Sequence, residues 1–294
     1  MSHTLAETAP RPRRIRSPAL RSFLRNPVGI AGVALLVLIL ATALVGPLVY
    51  DGDPFDMVAQ PFLWPGEDAS HVLGTDSLGR DVAAGLIHGA RVSLTVGIVA
   101  TLIGVTVGVL VGAVAGYFGG LADDLLVRLI QLFHTMPSFV LLVVLVAIAQ
   151  PSLTVVTIAI GLLGWPTLAR LVRAEFRSLK QKDFVTAARS IGQGHGRIIF
   201  VAILPNALPP IIVASSVMVA SAILAESALS FMGLGDPNVV SWGSMIGAGR
   251  EFLRSAWYLT ALPGLGIVAT VLSLNLIGDS LNDALNPRLS RTEG

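Results

Sequence analysis

The chain has 294 residues, of which 53% are hydrophobic and only 13% are charged, and its formal net charge is +2. Soluble domains carry about 25% charged residues, so this composition argues against a water-soluble fold and predicts a polytopic helical membrane protein. The absence of cysteine excludes disulfides and thiolate metal sites. The basic residues cluster at the ends of apolar runs, which indicates a membrane topology signal rather than nucleic-acid binding.

The first 90 residues of the chain divide into three predicted parts. Residues 1–26 are polar and arginine-rich, and we expect a cytoplasmic tail. Residues 27–50 carry no charge and predict the first transmembrane helix, because about 20 apolar residues span the hydrocarbon core at ~1.5 Å per residue. Residues 51–90 predict an acidic extracytoplasmic loop, which is either simply solvated or a surface for an extracytoplasmic partner.

Residues 91–294 predict a core of five further spans, with a polar segment, 171–205, before the last two. The candidate spans are Val92–Phe118, Pro137–Ala149 extended inward by the amphipathic stretch Leu125–Met136, Ser152–Ala169, Ala207–Phe231 and Trp257–Gly278. The predicted fold class is therefore an all-α polytopic membrane protein of six transmembrane helices. An even number puts both termini on one side, and the distribution of Lys and Arg predicts that this side is cytoplasmic.

Glycine recurs at every fourth position of the second predicted span, at Gly104, Gly108, Gly112 and Gly116. This spacing places the four residues on one stripe of the helix, where small side chains let two helix backbones approach closely. We predict a helix-packing seam there. The seam is either static or permits sliding during a conformational change.

Glu226 is an acidic residue inside the fifth predicted span of the chain, Ala207–Phe231. A charge at the centre of a bilayer costs ~2.5–3.5 kcal/mol, so such residues face protein or water. Glu226 either lines a translocation path or accepts hydrogen bonds from neighbouring hydroxyls. The sequence contains no nucleophile elbow, metal-binding histidine motif or nucleotide-binding loop, so we expect no catalytic, cofactor or metal site in this chain.

The polar segment 171–205 contains two short helical patterns. Asp183 is a candidate N-cap of the first pattern, Ala187 and Ala188 favour helix, and Gly192 supplies a stop. A second apolar pattern follows, and we expect Pro205 to end it before the next span. On spacing alone, the two pieces form either a rigid knob for a cytoplasmic partner or an interfacial loop on lipid headgroups.

This segment resembles the cytoplasmic EAA loop of ABC importer permeases, whose pattern is E-A-A-x-x-x-G followed downstream by I-x-L-P. Ala187, Ala188 and Gly192 stand at the matching spacing and Pro205 closes the pattern, whereas Thr186 replaces the usual glutamate. The resemblance implies that the loop carries the helix that docks onto an ATPase subunit. The change at Thr186 puts an acidic contact there in doubt.

Three more stretches are similar to the dipeptide, oligopeptide and nickel permease family. Residues 71–94 resemble its GTDxxGRD entry element, residues 228–246 its LSFLGLG…SWG element, and residues 274–291 its C-terminal GDxLxDxLxP signature. Together with the loop, these motifs identify the chain as resembling the second permease subunit of a type I ABC importer. The resemblance implies import of peptides or related small solutes.

Within the entry element, Asp76, Arg80 and Asp81 are spaced four or five residues apart, and we expect them near one helical face. They either fix the start of the following helix or contact an extracytoplasmic binding protein.

The resemblance also implies a set of partners. They are a sister permease, two ABC ATPase subunits that hold ATP and Mg, an extracytoplasmic solute-binding protein and the bilayer of the bacterial inner membrane, with no nucleic acid. Two alternatives stand beside this interpretation. An ion-coupled secondary transporter would require several intramembrane ionisable groups and inverted repeats, and a membrane scaffold without transport activity would leave the four motifs unexplained.

Overall fold

A computed structural model describes residues 18–285, and these residues form helices joined by turns. Residues 1–17, which include most of the expected tail, and 286–294, the end of the C-terminal signature, lie outside the described residues. The helices are α1 Pro18–Phe23, α2 Pro27–Val49, α3 Val82–Phe118, α4 Gly120–Thr135, α5 Ser138–Ala149, α6 Leu153–Leu179, α7 Asp183–Ser190, α8 His195–Arg197, α9 Leu204–Phe231, α10 Trp242–Gly249 and α11 Tyr258–Leu285.

Five helical runs in the described range are long and apolar enough to cross a membrane: α2, α3, α6, the run from α8 through α9, and α11. The pair α4 and α5 makes a sixth when counted as one span. The all-α class and the count of six spans agree with this arrangement. However, α4 and α5 meet at an angle of 82° instead of forming one extended helix. Met136 is extended there, because a residue before proline avoids the helical region.

The first long helix of the core begins earlier than the sequence indicates. α3 starts at Val82, inside the stretch 51–90 that we expected to be loop. The Asp81 side chain caps this start by accepting a hydrogen bond from the backbone N–H of Ala83 at 2.8 Å. The glycines and histidine of its first turns weaken the apolar signal, which is why hydrophobicity alone places the start too late.

Helices α3, α6, α9 and α11 form one bundle, and its two ends carry different segments of the chain. The hydroxyl of Tyr258, at the start of α11, lies 2.9 and 2.8 Å from the carbonyl oxygens of Leu63 and Thr75, either of which can accept its proton, so this end carries the 50–81 loop. We call it the loop end. At the opposite end Tyr117, near the end of α3, contacts His195 of α8. We call this the α7 end.

The entry into α9 is continuous. Helix α8, a π-helical segment Ile198–Ile203 and α9 form one run from His195 to Phe231. The prediction that Pro205 ends a separate helix is therefore wrong. Pro205 lies inside this continuous run, as the second residue of α9 and directly after the π segment. The π turn before it widens the backbone spacing, as the Leu204 N–H bonds the carbonyl oxygen of Ile199.

Candidate functional site

Helix α7 lies against the bundle through one face only. Val185 and Ala188 are buried, and they belong to a hydrophobic cluster with Phe176 of α6 and with Ile198 and Ile203 of the π segment. The bulk of this cluster comes from α6 and α9. α7 is therefore held against α6 and the run that leads into α9, and its position follows theirs.

The opposite face of α7 is exposed. It presents the side chains of Phe184, which is 41% exposed, Thr186 and Ala187, with Ile191 just beyond the helix at 74% exposure. Exposed apolar groups beside polar ones are typical of a surface that contacts another protein. Ala188, in contrast, is only 8% exposed and lies on the inner face.

The two ends of α7 differ in how they are fixed. Lys182, not Asp183, occupies the N-cap position, and Asp183 is the first helical residue, where its charge still suits the positive helix terminus. At the other end Gly192 has a φ of +76°, a conformation that favours glycine. The N–H groups of Gly192 and Gln193 bond the last turn of the helix in a Schellman motif, which ends α7 sharply.

A tyrosine braces the connection between α7 and α8. The Tyr117 hydroxyl lies 2.8 Å from Nδ1 of His195. The Lys180 amine and the Arg189 guanidinium lie 5.6 and 5.9 Å from the centre of the tyrosine ring, which is close enough for cation–π contacts. The end of α3 is thereby joined to both sides of the loop that carries α7.

The glycines of the expected seam all lie on the face of α3 that contacts α6: Gly104, Gly108, Gly112 and Gly116. A β-carbon at Gly112 would lie 2.5 Å from the carbonyl oxygen of Ala169, and one at Gly116 would lie 2.7 Å from that of Arg173. The two backbones are thus in direct contact. The seam joins two helices of this chain, and its role in sliding stays a prediction.

Glu226 is 2% exposed and lies inside a hydroxyl network near the loop end. Its carboxylate accepts hydrogen bonds from the hydroxyls of Ser230 at 2.7 Å, Ser93 at 3.3 Å and Ser227 at 3.4 Å. The backbone N–H of Trp242 donates to the Ser93 hydroxyl at 3.3 Å. Glu226 therefore joins α9 to α3 and to the start of α10. Its part in a translocation path stays a prediction.

The entry residues do not share a helical face, because α3 begins only after Asp81. The Asp76 carboxylate instead closes a turn by accepting a hydrogen bond from the Arg80 backbone N–H at 2.8 Å. Asp81 caps α3 and also accepts a hydrogen bond from the Tyr50 hydroxyl. Burial and this contact with Asp81 raise the pKa of Tyr50 to about 12. Both aspartates thus fix the geometry at the start of α3.

A second contact at the loop end joins α6 to the segment between α9 and α10. The Asp236 carboxylate accepts hydrogen bonds from the backbone N–H groups of Leu153 at 3.0 Å and Asn238 at 2.9 Å. These two donors lower the pKa of Asp236 below its usual range. Asp236 and Arg80 both line a pocket of about 220 Å³.

An ion pair that the sequence analysis did not predict joins α6 to α4, the first half of the broken span α4–α5. The Arg173 guanidinium of α6 donates two hydrogen bonds to the Asp123 carboxylate of α4, at 2.5 and 2.7 Å, and Arg177 lies 3.7 Å from the same carboxylate. The sequence feature that could have indicated this pair is the presence of an acidic residue and an arginine beside apolar spans, because charges in such positions are paired in membrane proteins.

A cavity of about 580 Å³ lies between α3, α5, α6 and α9. Its lining is mainly apolar, with the hydroxyl residues Thr101, Ser138, Thr167 and Ser221. Glu226 is not among the lining residues. Four helices contribute to this cavity, and no single stretch of sequence carries its pattern, which is why sequence reasoning did not find it.

Comparisons with known proteins place the chain in a family. Residues 108–291 match the family described as binding-protein-dependent transport system inner membrane component, and residues 17–65 match the N-terminal TM domain of oligopeptide transport permease C. The chain is 40% identical over 275 residues to the di/tripeptide transport system permease protein DppC of Pseudomonas aeruginosa, covering 92% of this chain and 91% of that protein. It is also 40% identical over 275 residues to the dipeptide transport system permease protein DppC of Escherichia coli, covering 92% of each.

Two solved structures share the fold. A chain of the inward-facing MetNI methionine ABC transporter superposes with a TM-score of 0.56 at 18% identity, covering 69% of this chain and 96% of that one. A chain of an amino acid ABC transporter solved with histidines superposes with a TM-score of 0.53 at 16% identity, covering 68% and 93%. This chain therefore belongs to the binding-protein-dependent inner membrane components, and it is a multi-pass permease subunit of an ABC importer with the type I fold.

Proposed function

We propose that the chain is the second permease subunit of an importer for di- and oligopeptides. The similarity at 40% identity to permeases named for dipeptides and tripeptides, over nearly the whole length of each protein, supports this substrate class. A sister permease completes the translocation path. A solute-binding protein delivers the peptide at the loop end, which is extracytoplasmic in this proposal.

The observation that carries the coupling role is the one-sided attachment of α7. Its inner face, with Val185 and Ala188, is anchored in the core, while Phe184 and Ala187 face outward. A helix held in this way transmits displacement, because a push on its outer face acts on α6 and α9 through packed side chains. Two ATPase subunits dock on this face in our proposal. These ATPase subunits hold the ATP and Mg. The α7 end of the bundle and both chain termini are cytoplasmic in this proposal.

The proposal is tested by reconstituting the chain in liposomes with its sister permease, ATPases and binding protein. Uptake of a labelled dipeptide that requires ATP and the binding protein is the expected result. Uptake by the chain alone, or uptake unchanged without the ATPases, would contradict the proposal. Uptake of nickel ions but not of peptide by the complete complex would refute the substrate class.

The coupling surface has its own test. Ala187→Glu places a charge on the exposed face of α7 and is expected to lower co-purification of the ATPases and peptide uptake, while the permease pair stays in the membrane. Ala69→Glu is the matched control, because Ala69 is an exposed alanine of the loop at the opposite end. An equal loss of ATPase co-purification in the two variants would remove α7 from the coupling role, whereas a loss of uptake alone in Ala69→Glu would concern the binding protein at the loop end.

A further inference from the structure

The side chain of Arg80 takes no part in fixing the start of α3. It lines the pocket of about 220 Å³ at the loop end, and its guanidinium carbon lies 5.3 Å from the centre of the Phe55 ring. It forms no ion pair with any carboxylate of the described residues. Nε of Arg80 is buried and unpaired, whereas the two terminal nitrogens, which also have no hydrogen-bond partner among the described residues, keep accessible surface. An unpaired guanidinium beside a pocket indicates a missing acceptor, and this acceptor must reach the terminal nitrogens.

Three carboxylates line the same pocket, and each already accepts hydrogen bonds from other groups of the chain. Asp76 accepts from the backbone N–H groups of Leu78 and Arg80, both at 2.8 Å. Asp81 accepts from a backbone N–H and a tyrosine hydroxyl, and Asp236 accepts from two backbone N–H groups. The Arg80 guanidinium is therefore the charged group of this pocket that still lacks a partner.

The size of the pocket suits a single side chain. Its volume of about 220 Å³ is below the roughly 300–1,000 Å³ of sites that enclose a small molecule, so a whole peptide does not fit. The irregular backbone of the 50–81 loop also excludes the hydrocarbon core of the bilayer as the surroundings, because lipid does not tolerate unpaired backbone groups.

The surface around the pocket is apolar and exposed. Met57, which forms a β-bridge with Arg80, is 67% exposed, and Leu78 is 47% exposed. Pro237, on the wall formed by the segment between α9 and α10, is exposed as well. An arginine surrounded by apolar side chains, methionine among them, is typical of the centre of a protein–protein interface. The family to which the chain belongs depends on a binding protein, which supplies a protein partner for such a surface.

We propose that this pocket receives an acidic side chain of the solute-binding protein when that protein docks at the loop end. The carboxylate accepts hydrogen bonds from the terminal nitrogens of Arg80, whose planar guanidinium matches the two oxygens of a carboxylate. The three aspartates weaken the attraction for a free anion, so apolar contacts with a protein surface must supply most of the affinity. The inference rests on the proposed function and adds how this chain recognises the binding protein.

Binding is measured between the complete transporter in lipid nanodiscs and its purified binding protein. Arg80→Gln removes the charge from the pocket. Arg254→Gln is the matched control, because Arg254 is an exposed arginine of the same end that does not line the pocket. The loss of hydrogen bonds between charged groups should weaken binding about ten- to a hundredfold in Arg80→Gln. The control should stay within about twofold of the unmodified transporter.

A second pair of variants leaves Arg80 in place. Ala248→Phe fills the pocket from its rim, where Ala248 is an exposed lining residue, and Ala69→Phe adds the same bulk to the loop outside the lining. Binding should weaken in Ala248→Phe and persist in Ala69→Phe. The unfolding midpoint of each variant transporter is measured alongside, so that a loss of folding is distinguished from a loss of docking.

A coupling experiment identifies the occupant of the pocket. Arg80→Lys keeps the positive charge and introduces an amine, and the two native lysines, Lys180 and Lys182, lie at the opposite end of the bundle. A carbodiimide joins an amine to a contacting carboxylate as an amide without a spacer. We expect mass spectrometry of the docked complex to find position 80 joined to an Asp or Glu of the binding protein. Arg254→Lys, treated in the same way, should give little of such a product.

Other results would overturn the inference. Coupling of position 80 only to the aspartates that line the pocket would give Arg80 a partner within its own chain. Coupling to the carboxylate of a transported dipeptide would assign the pocket to the cargo. Binding that Arg80→Gln leaves unchanged, or that Arg254→Gln weakens equally, would remove the pocket from docking while the unmodified transporter still takes up peptide. An unmodified transporter that neither binds the binding protein nor takes up peptide would instead refute the proposed function.

Discussion

The helix pair α3–α6 and the broken span α4–α5 are attached to the bundle in opposite ways. In α3, 18 of 37 residues are buried, and a stripe of glycines brings its backbone into contact with α6. In α4, only 2 of 16 residues are buried, Asp123 and Ile130, and α5 buries 2 of 12. One pair is fixed along its length, while the other is held at few points. The chain therefore combines a rigid frame with a span whose position other contacts can change.

This difference assigns separate tasks to the two regions. A frame of close-packed backbones passes displacement on without deforming, because packed interiors have low compressibility. A span that is broken by Pro137 can change its angle at low cost, since the backbone hydrogen bonds at the break are already absent. In the coupling that we propose, motion of α7 would act on α6 through the shared hydrophobic cluster and on α4 through the Asp123–Arg173 ion pair.

The largest effect is expected where the frame itself is altered. Gly112→Leu places a β-carbon 2.5 Å from the carbonyl oxygen of Ala169, and this backbone atom cannot move aside as a side chain would. Overpacking costs about 1–3 kcal/mol and more where backbone must shift. We expect loss of the folded permease pair, measured as the yield of monodisperse complex in detergent and its thermal unfolding midpoint.

The matched control for the seam is Gly264→Leu in α11, where nothing lies within 4 Å of the new β-carbon. It should leave the yield and the unfolding midpoint nearly unchanged. If the Gly112 variant were as stable as this control, α3 and α6 would not form a rigid frame, and the contrast with the broken span would disappear.

The broken span provides the next largest effect. Asp123→Asn removes the negative charge that accepts two hydrogen bonds from the Arg173 guanidinium. The loss of a hydrogen bond to a partly buried charged group costs about 1.5–3 kcal/mol. We expect α4 to separate from α6 while α3 and α6 stay together. Spin labels on introduced cysteines in α4 and α6 would report a broader and longer distance distribution.

Two further variants make this prediction specific. Asp124→Asn changes the exposed neighbouring carboxylate and should leave the distances as they are. The exchange Asp123→Arg with Arg173→Asp should restore a narrow distribution if the ion pair itself holds α4. A distribution that stays narrow in Asp123→Asn would show that α4 has another anchor.

The same contrast explains what the sequence could reveal. The spacing of Gly104 to Gly116 predicts a seam because the pattern lies within one helix, but the identity of the facing helix depends on tertiary packing. The break at Pro137 follows from local backbone sterics, yet its angle of 82° does not. The cavity around Thr101 and the Asp123–Arg173 pair each need helices that are distant in sequence, so no local pattern contains them.

Corrections at the level of single residues have local causes. Asp183 begins α7 instead of capping it, since an acidic residue is favourable at both positions and the sequence does not separate them. Pro205 continues a helix because a π turn precedes it, and such a turn has no simple sequence signature. Asp76, Arg80 and Asp81 form a turn because Asp76 bonds the local backbone in competition with helix.

A smaller effect is expected at the junction of α2 with the frame. Tyr50→Phe removes the hydroxyl that donates to Asp81 at the start of α3, which costs about 1 kcal/mol. The pKa of Tyr50 is raised to about 12, so its contribution to stability is fully present below the ordinary pKa of about 10 and is lost as pH rises through 12. Unfolding midpoints of both proteins between pH 8 and 12 should converge. A constant difference across that range would contradict the assigned contact.

The smallest effect is expected where the frame is tied to α10, at the other side of the loop end. Asp236→Asn keeps an acceptor for the Leu153 N–H at the start of α6 but removes the charge, which is worth about 0.3–1 kcal/mol at a helix N-terminus. Because the Leu153 and Asn238 N–H groups lower the pKa of Asp236, its contribution is present above the ordinary pKa of about 3.9 and is lost as pH falls through the lowered value. The difference in unfolding midpoint between the two proteins should therefore be constant from pH 7 to about 5 and vanish in stronger acid. A difference that grows in acid would mean that the neutral carboxyl, and not the carboxylate, holds α6 to this segment. The rigid frame would then not include the contacts at the loop end.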